Sequence, residues 1–291
     1  MKTVSPADLR AWFGGSRKLS DAVRSIGDKR LGAEFLEGYG VPVHLQFLVE
    51  RLLAGGAREI PDDALASIPF HSLCRGLFLP LSSISPDRAA SLFGLAVPPP
   101  PGTEGRRELV FSFLARDVGL DAVQQIAALL GDPFRGGRST IRRGMLLALL
   151  SSLEFTTRPD LLDKLARAGD IAILFAERRA ALRPDWPLTA AEVLETIRFL
   201  PEARRREKLD VLRALLARMS KLEAYFLARL CLRKAAFGFE YQGTLLAEAL
   251  AKRFDAPAEA VIHATALTDA FRVAEILSTE GPAGLKKIRL A

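Results

Sequence analysis

The sequence predicts an all-α fold, and three observations carry that expectation. Apolar residues recur at helical spacing, as at Leu222, Phe226 and Leu230. Helix starts are written as capping boxes, Thr189-Ala-Ala-Glu192 and Ser220-Lys-Leu-Glu223, in which a hydroxyl caps the first free N–H groups and a glutamate three residues on caps back. Alternating strand patterns joined by hairpin turns are absent.

Taken in order, residues 1–97 read as short helices with frequent breakers. Leu9 to Phe13 stops at Gly14-Gly15, Leu19 to Ile26 at Gly27, and Leu45 to Leu53 at Gly55-Gly56. Pro61-Asp-Asp63 and Ser85-Pro86-Asp87 each open a helix, the second with proline at the first helical position, where its missing N–H costs nothing. No repeat period emerges, and the role of this region stays open. Residues 98–105, with four prolines and two glycines, form an extended surface connection. Residues 106–291 then carry the longer helical periods: two between Leu109 and Leu130, broken near Gly119; Met145 to Leu153; Pro159 to Ala168, ended by Gly169-Asp170; and Ile171 to Arg179. After a turn at Arg183–Pro187, helices follow from Thr189 to Leu200, through Leu209 to Met219, from Ser220, from near Tyr241 to Phe254, from Pro257 to Ala266 and from Asp269 to Ser278, stopped by Gly281-Pro282.

Composition narrows the function. The chain has 291 residues, 49% hydrophobic and 26% charged, which suits a globular protein with a real core. No apolar run reaches the length of a membrane span. Asp8 and Arg10 interrupt the place where a secretory signal would be apolar, so an intracellular location, cytoplasmic or nucleoid-associated, is expected. Cys74 and Cys231 make no disulfide framework, and neither they nor His44, His71 and His263 have zinc-ligand spacing. Net charge is +7, of which residues 101–291 carry +6, so a polyanionic partner is expected on the later part.

Two stretches are built to hold phosphate. Arg233-Lys234-Ala235-Ala236-Phe237-Gly238 breaks the helical period with two adjacent cations, two small residues that allow close approach, and a glycine that permits the turn. Gln242 and Gly243 lead into the next helix, whose free N–H groups favour anions; Lys221 and Arg229 lie on the preceding helix. Taken alone, the stretch also fits a plain helical hairpin with cations at a helix C-terminus. The second stretch, Phe134 to Gly144, holds Arg135, Arg138, Arg142 and Arg143, three glycines and no acid. It lacks the Gly-Lys-Ser/Thr of a phosphate-binding loop of nucleotide hydrolases, and a solvated loop is the competing reading.

From about Arg138 onward, the series of pieces resembles the N-terminal DNA-binding domain of ATP-dependent DNA ligases. The resemblance runs through Leu165-Ala-Arg-Ala-Gly169-Asp170-Ile-Ala172, Leu188-Thr189-Ala-Ala-Glu192-Val193, Arg206-Glu-Lys208-Leu-Asp210-Val-Leu212, Glu223 through Arg229 to Lys234-Ala-Ala-Phe237-Gly238, and Thr268-Asp269 to Gly281 followed by Leu285 to Leu290, an exit strand or linker. It covers about half the chain. It implies a compact helical domain that grips duplex DNA in the minor groove around a nick through backbone and phosphate contacts. Two departures stand out: Ala235 and Ala236 replace the usual Leu and Arg, which removes one expected cation, and Ala172 replaces a usual Gly.

The resemblance also implies a separate adenylation domain with a nucleophilic lysine in Lys-x-Asp-Gly. Lys208-Leu-Asp210-Val211 is a near miss that lacks the glycine and sits in an amphipathic helix, so Lys208 reads as a surface or DNA-facing residue. No catalytic activity and no cofactor are expected of this chain alone; ATP and Mg2+ would belong to an adenylation domain beyond Ala291. The expected function is sequence-independent duplex DNA binding, at nicks in particular, as the DNA-binding module of a ligase or as a stand-alone repair accessory with a nucleotidyltransferase or repair protein as partner. The alternative is a helical protein-interaction scaffold that kept the fold and lost DNA binding, for which Ala235-Ala236 is the main support.

Overall fold

The computed structural model describes residues 43–54, 65–82, 84–154, 156–178, 187–235, 237–240 and 243–288. The helices expected at Leu9–Phe13 and Leu19–Ile26, the stop at Gly55-Gly56, the start at Pro61–Asp63, most of the Arg183–Pro187 turn, and the segment after Ile288 lie outside them. Among the described residues every named element is helical, as the periodicity predicts. Among these residues extended backbone pairs in one isolated bridge, Pro69 with Thr189.

The first described helix, α1 (Val43–Ala54), buries Phe47 and Leu48. Then comes α2 (residues 70–81), which the breaker pattern did not predict. Its middle, Cys74–Phe78, is a π turn in which the Leu79 N–H reaches back to the Cys74 carbonyl. That widening sits just before Pro80, which has no N–H to give and whose ring crowds a regular α-turn. Ser85 caps α3 (Pro86–Phe93) as expected. The proline-rich stretch has no regular secondary structure, and α4 (Thr103–Ala115) begins inside the 98–105 connection. Then α5 (Ala122–Leu130) opens with a capping box, Asp121 to Gln124, that was missed because Asp and Gln replace the commoner pair.

The remaining helices are α6 (Arg143–Glu154), α7 (Arg158–Ala168), α8 (Ile171–Glu177), α9 (Ala190–Phe199), α10 (Arg205–Leu216), α11 (Lys221–Cys231), α12 (Thr244–Arg253), α13 (Ala258–Leu267) and α14 (Ala270–Glu280). A 3-10 turn, Pro282–Lys287, follows α14, so the chain turns tightly where an exit strand or linker was expected from Leu285. α12 starts at Thr244; Tyr241, near which this helix was expected to begin, lies outside the described residues.

One continuous apolar core joins helices from both sides of the proline-rich stretch. Its centre is α11, whose Leu222 through Ala228, Leu230 and Cys231 are all buried. An amphipathic surface helix would bury one stripe; α11 buries nearly its whole circumference, with α8 as its main neighbour. Phe226 and Phe78 pack with centroids 5.3 Å apart, and Tyr225 meets both Phe226 and Phe93 edge-on. α1 docks on α9 and α10 through His44, whose Nε2 is 2.5 Å from the capping carboxylate of Glu192, and through Arg51, which faces Glu207. His71 packs against Ser220 and Glu223, and His263 is exposed. Among the described residues no helix is long and apolar enough to cross a membrane.

Candidate nucleic-acid interface

The two phosphate-type stretches lie side by side. The predicted box at the start of α11 forms: the Ser220 N–H donates to Glu223 Oε2 at 2.8 Å, and the Glu223 N–H donates to Ser220 Oγ. The helix ends at Leu232, and the chain reverses through Arg233 in the left-handed region, φ 54°. There the Arg233 N–H donates to Leu230 O and the Lys234 N–H to Arg229 O at 2.8 Å, closing two terminal carbonyls. A non-glycine residue in this conformation costs about 1 kcal/mol. The side chain offsets that: Arg233 Nη2 donates to Asp132 Oδ2 at 3.0 Å and Nη1 to the Gly137 carbonyl at 3.2 Å.

Asp132 is therefore the clasp between the stretches. It is 2% exposed, and its carboxylate also accepts the backbone N–H groups of Phe134 and Gly136, which shapes the loop after α5. Ser139 Oγ then donates to the Cys231 carbonyl at 2.9 Å, a second tie from the loop to the end of α11. Gly131 makes the approach possible. It has φ 63°, and a Cβ there would stand 2.7 Å from the Ala235 Cβ. Gly238 has φ 78°, as the turn requires.

These contacts sort the predicted site residues. Arg233 is engaged by Asp132 and by the Gly137 carbonyl. Arg135, also at positive φ (52°), points inward to the buried Glu195, which Arg198 and Gln124 also contact. Burial pushes its guanidinium below the usual arginine value, against the opposing pull of Glu195. Arg229 lies over the Tyr225 ring, donates to Asp170 Oδ2 at 2.6 Å and to the Lys234 carbonyl, and so ties the turn to the N-cap of α8. Phe237 is buried and stacked on Phe78, centroids 5.0 Å apart, so it anchors the turn. Ala235 is buried as well: the residue replacing the usual Leu is a packing position. Ala236 and Gln242 lie outside the described residues. Gly243 is the N-cap of α12 and supplies no side-chain cap to it. Lys221 is exposed but begins α11, about 15 Å of helical rise from the turn, so it does not join the cluster.

What faces solvent beside the turn is Lys234, Arg138, Arg142 and Arg143, all exposed and making no ion pair with any described residue. Sequence reasoning placed Lys208 on the surface, and the structure corrects this. Lys208 is 7% exposed, and its Nζ donates to Thr140 Oγ1 at 2.7 Å and to the Pro201 carbonyl at 3.2 Å. Desolvation lowers its pKa. The helical period misled because the loop before α6 covers this face of α10. The same contact brings in residues that sequence reasoning missed. Arg204, Arg205 and Arg206 are exposed at the start of α10, next to the loop that Lys208 holds. Three cations at a helix N-terminus oppose the helix dipole, and that was the available signal.

The buried thiols play no part: burial raises both the Cys74 and the Cys231 pKa. Among the described residues no group of three or more His, Cys, Asp or Glu side chains is placed to hold a metal ion.

A comparison with curated proteins returned no match. Residues 69–251 match the family described as DNA ligase N terminus, a stretch that includes α2, the proline-rich connection, the loop after α5 and the turn after α11. With more than half its length in that match, the chain belongs to the N-terminal domain family of ATP-dependent DNA ligases.

Proposed function

We propose that the protein binds duplex DNA without reading its sequence, through the surface formed by the loop after α5 and the turn after α11. The observation that carries this reading is their junction: two segments from distant parts of the chain are clasped by Asp132 and Arg233, and Lys234, Arg138, Arg142 and Arg143 are exposed there with no acidic partner among the described residues. Clustered, exposed cations on small-residue backbone suit sugar-phosphate contacts and give no base-specific hydrogen-bond pattern. The family assignment supports a DNA-binding role in the context of ligation.

A finer reading follows: the surface grips the minor groove at a nick and presents the break to a nucleotidyltransferase or repair protein. Fluorescence anisotropy with nicked, intact and single-stranded DNA of equal length tests both levels. Binding of both duplexes over single strands supports the general reading, and tighter binding of the nicked duplex supports the finer one. Absence of duplex binding at low salt would leave the scaffold reading, for which the small residue at Ala235 is weak support, because that position is buried.

A further inference from the structure

A second cationic site lies at the other end of α6. A cavity of about 550 Å³ opens among α6, α7, α8 and α3. Leu150, Leu161 and Leu174 line it with apolar surface. Arg88, Lys164 and Arg167 stand around it, all exposed. Arg178, at the end of α8, also lines it and is 5% exposed. Its Nη2 donates to the carbonyls of Leu216 and Met219, while Nε and Nη1 have no hydrogen-bond partner among the described residues. A buried guanidinium with two unpaired nitrogens is costly unless something completes it. Glu154 and Glu223 favour the Arg178 charge but do not outweigh its burial, so a carboxylate entering the cavity would stabilise it further.

We infer that this cavity is a docking groove for an acidic, leucine-bearing segment of a protein partner. Charge complementarity selects the acidic part: four cations line the cavity against two carboxylates, Glu154 and Glu177. The apolar lining selects a peptide over nucleic acid, because phosphates gain nothing from Leu150, Leu161 and Leu174. Glu154 and Glu177 would also repel a continuous phosphate backbone, whereas a peptide can space its acids between them. The groove sits at the C-terminal end of α6 and Arg142 and Arg143 at its N-terminal end, about 17 Å away along twelve residues, so peptide and DNA can be held together.

The test is anisotropy of a short fluorescein-labelled peptide in which glutamates alternate with leucines, titrated with the full chain. The expected result is saturable binding, weakened about tenfold by the charge-reversing pair Lys164→Glu and Arg167→Glu, with duplex DNA affinity unchanged. Both positions are exposed on α7, so the fold should survive; Arg88→Glu on α3 is the second variant and should act the same way. Equal binding of a peptide with glutamine in place of glutamate would overturn the inference. So would unaltered binding by both variants, no binding by the wild-type chain, or displacement of the peptide by duplex DNA, which would assign the groove to nucleic acid.

Discussion

Asp132 holds the candidate interface together through a carboxylate that accepts from Arg233 and from the N–H groups of Phe134 and Gly136. Replacing it with alanine leaves those donors unpaired beside a buried site. Asp132→Ala is expected to lower stability by about 3 kcal/mol in urea unfolding and to loosen the loop. The exposed cations should behave in the opposite way. Arg138, Arg142 and Arg143 make no ion pair with described residues, so changing them to glutamine should leave stability within about 0.5 kcal/mol. The contrast explains what was legible at this scale. Residue type marked Arg135, Arg233, Arg138, Arg142 and Arg143 alike as phosphate ligands. Nothing local distinguished the first two, because their partners Glu195 and Asp132 are far from them in sequence, by 60 and 101 positions. Gly131-Asp132-Pro133 was the overlooked local sign, a turn sequence with an acid placed to cap its own backbone.

Among the elements, helix ends were read best, because capping is local chemistry. The boxes at Thr189 and Ser220, the proline start at Ser85-Pro86 and the stops at Gly169 and Gly281 all stand where the sequence put them. Ser220→Ala should cost about 1 kcal/mol of stability by removing the acceptor for the Glu223 N–H. Helix faces were read less well. α11 looked amphipathic yet is buried nearly all round, and α2 was missed because its π turn and Pro80 break the period that marks a helix. The join between two elements was beyond periodicity altogether. Its critical position is Gly131, where a side chain would meet Ala235. Gly131→Ala is expected to destabilise the fold by about 2 kcal/mol, from the positive φ together with the clash, and to weaken DNA binding by pushing the loop off the turn.

For the molecule as a whole, the single core joins residues on both sides of the proline-rich connection, and burial at its centre sets a pH response. Cys74 and Cys231 have pKa values raised above 9.0 by desolvation, so the folded state keeps protons that the unfolded chain releases. Their contribution to stability is complete below pH 9 and is lost as pH rises through it, by about 1.4 kcal/mol per pH unit for each thiol. Lys208, whose pKa is lowered by burial, works the other way and offsets part of that loss. Chemical unfolding at stepped alkaline pH, repeated with Cys74→Ala and Cys231→Ala, checks this; the variants should show a shallower decline. The excess of positive charge in residues 101–291 was visible from composition, and part of it stands at the junction of loop and turn as exposed cations that make no ion pair with described residues. The most direct measurement of the central claim is the salt dependence of duplex DNA binding for the wild-type chain and for a variant with Arg138, Arg142, Arg143 and Lys234 changed to glutamine. Each phosphate neutralised contributes about 0.9 to the slope of log affinity against log salt, so the variant should bind more weakly with a slope flatter by about 3 to 4. A variant that keeps the wild-type affinity and slope would contradict the account.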